Sequence, residues 1–128
     1  MPNLKLKIMS TKTTRIVSIV LMVIPSLMLI MSGIMKLTHA EPVVTGLTKA
    51  GLGSFITLIG IVELLSVALF LYPKTYKIGF MLLTGYLGGA LCIELAGAQP
   101  PTAAVILAVI WIAVFLKNKS MFLNSDSE

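Results

Sequence analysis

Cysteine and histidine are almost absent from this chain: its 128 residues include one of each, Cys92 and His39. A lone cysteine forms no intrachain disulfide and no CxxC redox pair, and covalent haem attachment needs two cysteines and a histidine in one short motif. A zinc or iron–sulfur site cannot be assembled from so few ligands within one chain. The expectation is no intrinsic cofactor and no metal. Cys92 then reads as a small packing residue, and His39, just after an apolar run, as an interfacial histidine. Charge is scarce as well, at 12% of residues against about 25% in soluble domains. No nucleophile–base pair stands out, so no catalytic residue is assigned and the sequence leans against an enzyme.

What is there is apolar surface. Hydrophobic residues make up 57% of the chain and the mean hydropathy is +1.00, which marks an integral membrane protein whose first partner is the lipid bilayer. A helix rising ~1.5 Å per residue needs about 20 residues to cross ~30 Å of hydrocarbon. Four segments fit: residues 16–37, 54–72, 76–97 and 102–116. The last is short and spans with a modest mismatch cost; Pro100 and Pro101 mark its start, since proline suits a first helical turn. The stretch "THAEPVVTGLTKAGLG" reads as a polar loop and "YPKTYK" as a tight turn around Pro73. The fold class expected is all-α, with four transmembrane helices in an up-down bundle. Residues 1–15 form a basic N-terminal tail, 16–117 the membrane domain and 118–128 a polar tail ending in the solvated "NSDSE". The first apolar core, between Arg15 and Lys36, exceeds the ~7–15 residues of a signal-peptide core, so it reads as a retained span.

Orientation follows from the cations. With the N-terminus in the cytoplasm, Lys5, Lys7, Lys12, Arg15, Lys74, Lys77, Lys117 and Lys119 fall inside, leaving only Lys36 and Lys49 outside. Both termini are therefore expected to be cytoplasmic. The net charge of +5 is accounted for by topology anchors near anionic headgroups, with no nucleic-acid partner implied.

Three ionisable residues lie in or beside the spans: Lys36, Glu63 and Glu94. Such groups are costly in lipid and tend to face the interior of a bundle, a partner or water. They form the candidate polar cluster. Counted from the helix centres, Lys36 lies about 14 Å and Glu94 about 11 Å outward from the midplane, so the two share a level and can pair across the first and third spans. The alternative is that each snorkels to the headgroups. Glu63 is near the middle of its span and needs protonation, an inward-reaching Lys36 or a cavity water. Pro25, Ser32 and Lys36 share a stripe that should face inward, and so do Gly60 and Glu63. Tyr86, Ala90 and Glu94 form a four-residue ladder, while Gly85 and Gly89 form a GxxxG pair on another face, expected to be a close helix contact rather than a ligand notch.

The motifs "SGIMKL", "IGIVELL", "YPKT" and "GYLGGA", in this order and spacing over residues 28–116, resemble the DoxX-like family of small four-helix membrane proteins. Many relatives carry a histidine-bearing "ATHL"-type stretch after the paired glycines; here it reads "LCIEL", with Glu94 as a local replacement. The resemblance implies a bacterial cytoplasmic (inner) membrane and association with quinone-linked or thiosulfate-oxidising redox complexes. It favours an accessory or assembly subunit. The alternatives are a quinone- or lipid-binding redox subunit, in which Lys36 and Glu94 contact quinone carbonyls and Glu63 donates a proton, and a proton or solute pathway centred on Glu63. Candidate partners are subunits of a membrane redox complex or further copies of the chain.

Overall fold

The computed structural model describes residues 2–123, with side chains from residue 12 onward. Helix α1 spans Pro2–Leu37, α2 Glu41–Lys49, α3 Ile56–Leu71, α4 Tyr76–Ala96 and α5 Thr102–Lys117; 3₁₀ turns lie at Gly53–Phe55 and Lys119–Met121. Strands are absent among the described residues. Three stretches are long and apolar enough to cross a membrane, Lys12–Leu37, Gly53–Leu71 and Tyr76–Ala96, and Thr102–Lys117 is a shorter apolar helix.

These helices are apolar on every side, as burial in lipid requires. Met31, Leu58, Leu65, Met81 and Val105 are each more than half exposed and point outward, where hydrocarbon rather than water is the solvent. Inward, α1 packs on α3 and α5, α3 on α4, and α4 on α5, which closes a helical bundle. Its core is built from Leu29, Val67, Phe70, Leu83, Leu87, Ile110, Ala113 and Val114. Polar atoms within this core are satisfied locally. The Ser18 hydroxyl donates to the Ala113 carbonyl at 2.8 Å, tying α1 to α5, and the Ser26 hydroxyl donates to the Met22 carbonyl at 2.6 Å beside Pro25. Pro25 is itself buried on the inward stripe with Lys36, as its spacing predicts.

Helices α3, α4 and α5 begin and end within two residues of the spans read from the sequence. The first span differs. Its helix continues back to Pro2, because proline is well placed in a first turn and no glycine or further proline interrupts residues 3–24. The stretch read as a basic tail, residues 1–15, is thus largely an extension of α1. The acidic end, residues 124–128, and Met1 lie outside the described residues.

The expected polar loop 38–53 also contains a helix. In α2, Pro42 sits in the first turn, and Glu41 and Lys49 stand at the ends where they complement the helix dipole. The chain enters it through His39 at φ 54° and leaves through Gly51 at φ 81°, a left-handed geometry that glycine adopts without strain.

Candidate functional site

Lys36 is the penultimate residue of α1. Side chains on a helix lean toward its N-terminus, so the ammonium falls back into the bundle instead of rising to the headgroups. Lys36 Nζ donates to Ser32 Oγ at 2.6 Å and to Glu63 Oε1 at 2.8 Å. Ser32 Oγ also reaches the same carboxylate oxygen at 3.4 Å. Glu63, midway along α3, is 1% exposed, and its bond to Lys36 is the one ion pair among the described residues.

Glycine makes room for this pair. A Cβ on Gly60 would stand 3.0 Å from Lys36 Cβ, and one on Gly33 would stand 2.6 Å from Leu64 Cγ, so α1 and α3 cross where the chain is smallest. From α4, Tyr86 approaches both charges: Lys36 Nζ lies 5.9 Å from its ring centroid and its phenol is within interacting range of Glu63. Every buried side-chain nitrogen and oxygen among the described residues has a hydrogen-bond partner.

Glu94 does not join this pair. Its Oε1 accepts the Ala103 backbone N–H at 2.9 Å, supplying from α4 the cap that Pro101 cannot give to the first turn of α5. Of the two partners that the sequence leaves open for Lys36, the structure pairs it with Glu63, by the inward reach considered above, and not with Glu94 at equal depth. The reason is lateral: α1 packs on α3 and α5, and α4 lies diagonally across the bundle. Glu94→Ala is expected to lower stability by about 1 kcal/mol through loss of the cap, measured by thermal unfolding in detergent; an unchanged melting temperature would show that the cap is dispensable.

Glu94 and Lys36 nevertheless face one space. A cavity of about 600 Å³ is lined by Ser32, Lys36, Tyr86, Ala90 and Glu94, with Gly85, Gly89, Ile59 and Ile93 on its walls and Val43, Gly46 and Leu47 of α2 over it. This corrects the reading of the GxxxG pair. Among the described residues nothing comes within 4 Å of a Cβ built on Gly85 or Gly89; the two glycines open a notch rather than seat a helix, because a stripe of small residues is equally what a cavity wall needs. Cys92 is also not a packing residue: it is a free thiol exposed on α4. His39 stays at the surface, with Nε2 3.4 Å from Thr57 Oγ1.

Of the three residues in the candidate polar cluster, Lys36 and Glu94 line the cavity and Glu63 holds Lys36 from behind it. Tyr86 belongs with them. Its place in a ladder with Glu94 was the available signal, but not its approach to Glu63.

The profile of the DoxX-like family matches residues 20–116, which include every residue of this site. The chain belongs to the DoxX-like family. Comparison with curated proteins and with solved structures gave no significant match. As a DoxX-like protein with apolar, lipid-facing helices, it is an integral membrane protein of the DoxX type.

Proposed function

We propose that this DoxX-like protein is a small non-catalytic subunit of a bacterial cytoplasmic-membrane redox system that holds a quinone-type ligand. The observation carrying this reading is the cavity of about 600 Å³ beside the buried Lys36–Glu63 pair. A quinone presents carbonyl acceptors on a flat ring and an apolar tail. Lys36 has three N–H donors, two of which go to Ser32 and Glu63, leaving one for a carbonyl. Gly85 and Gly89 offer a surface without side chains for the ring, and Ile59 and Ile93 offer apolar wall. A proton pathway centred on Glu63 gains no support from this arrangement, since Lys36 and Ser32 both hold its carboxylate.

The test is purification in mild detergent followed by mass spectrometry of extracted lipids. One isoprenoid quinone per chain is expected, and Gly89→Leu, which fills the notch, should lower retention at least tenfold in a protein that melts normally. No co-purifying quinone, together with no thermal shift on adding a short-tailed quinone, would sink the proposal.

The same reading places four spans up and down across the membrane with both termini cytoplasmic, supported by the cation asymmetry. In a Cys92→Ser background, single cysteines at Ser10 and Ser125 should resist a membrane-impermeant maleimide in intact cells and react after lysis. Labelling of either in intact cells would reverse the orientation.

A further inference from the structure

At the end of the bundle opposite α2, a second cavity of about 470 Å³ lies between α1 and α5, lined by Thr14, Arg15, Ser18, Ile19, Leu116, Lys117 and Lys119. We propose that it binds a phosphate-bearing anion, supplied by the headgroup of an acidic phospholipid or by a soluble phosphate.

Three cations line this space, and none of them forms an ion pair with an acid among the described residues, whose single ion pair is Lys36–Glu63. Like charges gathered at one cavity, with no acid paired to them among the described residues, repel one another, an arrangement that an oxyanion relieves. The types are also apt. Arginine presents a planar fork that matches two phosphate oxygens, and lysine adds point charges.

The cations are positioned rather than scattered. Arg15 directly precedes the apolar run of α1 and Lys117 is the last residue of α5, so both stand at the edge of the apolar layer, where a phosphodiester lies. Lys117 Nζ is held 5.0 Å from the Tyr76 ring centroid. Lys119 comes from the 3₁₀ turn Lys119–Met121, which is pinned from behind: Phe122 packs at 5.8 Å from Phe80, 5.2 Å from Trp111 and 5.9 Å from Phe115. The hydroxyl of Ser18 is already taken by Ala113, leaving Thr14 as the hydroxyl donor on that wall. Lys74 and Lys77 lie at the same end of the bundle but outside the cavity, and so serve as controls for unspecific attraction.

The experiment is native mass spectrometry of the full chain titrated with phosphatidylglycerol or phosphatidylcholine, alongside melting in sodium phosphate and in sodium chloride of equal ionic strength. At least fivefold preferential retention of phosphatidylglycerol is expected. Arg15→Gln with Lys119→Gln should abolish the preference, and Arg15→Lys, which keeps charge and fold, should reduce it two- to threefold. Lys74→Gln with Lys77→Gln should leave it within twofold. Stabilisation by phosphate over chloride, lost in Arg15→Gln with Lys119→Gln, assigns the site to a soluble phosphate; phosphatidylglycerol preference without that stabilisation assigns it to a lipid headgroup. Absence of both effects, or an equal loss in the Lys74/Lys77 control, overturns the site.

Discussion

Lys36→Met is expected to cost about 3–5 kcal/mol of stability, the scale on which a buried charge stripped of its partner destabilises a fold. Glu63 is 1% exposed and, midway along α3, too short to reach the headgroups. Without Lys36 it keeps only the 3.4 Å contact from Ser32 and the approach of Tyr86. Removal of the other partner should be milder. The Lys36 side chain remains 11% exposed near the end of α1, so in Glu63→Gln it can turn outward and snorkel. Lys36→Met combined with Glu63→Gln should recover much of the loss, with a coupling of at least about 1.5 kcal/mol, within the range found for directly interacting residues. Lys36→Met combined with Glu94→Gln should be additive to within about 0.5 kcal/mol. Chemical unfolding in detergent measures both cycles. Additivity in the first and coupling in the second would assign the ion pair to Glu94 instead.

The contrast between those two cycles shows how far sequence reasoning reaches. Helix length and hydropathy are properties of a segment on its own, so α3, α4 and α5 could be placed almost to the residue. The inward stripe of buried Pro25, half-buried Ser32 and buried Lys36 was legible for the same reason, since periodicity fixes which residues share a face. Partner choice is different. Depth along the membrane normal gives one coordinate, and Lys36 and Glu94 do share a level; which helices are neighbours and which are diagonal is set by packing among all of them. The paired glycines failed likewise. Gly85 and Gly89 announce a face without side chains, but whether a helix or a cavity lies opposite depends on where α2 sits. Helix α2 was itself hidden: nine residues containing Pro42, Thr45 and Gly46 carry little intrinsic helical preference, and Val43 and Leu47 become informative only once the cavity beneath them exists.

Gly79→Ala is expected to destabilise the bundle by at least about 3 kcal/mol, at the upper end of what overpacking costs, although it adds a single methyl. A Cβ at Gly79 would run into the backbone of Phe70, with Leu69 C at 2.7 Å as the next neighbour. A flexible side chain could rotate away; a helix backbone cannot. The alternative is for α3 and α4 to separate, but the turn between them holds only residues 72–75 and is closed by the Thr75 hydroxyl donating to the Leu69 carbonyl at 2.8 Å. Separation would also uncover Phe70, which is fully buried. Three other glycines of α4 should behave in the opposite way. Among the described residues nothing lies within 4 Å of a Cβ at Gly85, Gly88 or Gly89, and glycine in a helix interior is less favourable than alanine by about 1 kcal/mol, so Gly85→Ala, Gly88→Ala and Gly89→Ala should melt at or above the parent temperature. The four variants differ by one methyl each on one helix, which leaves position as the cause of any difference. If Gly79→Ala melts with the other three, the α3–α4 contact at Phe70 yields to an added methyl, and the close crossing that positions Tyr86 and Glu94 around the cavity loses its anchor.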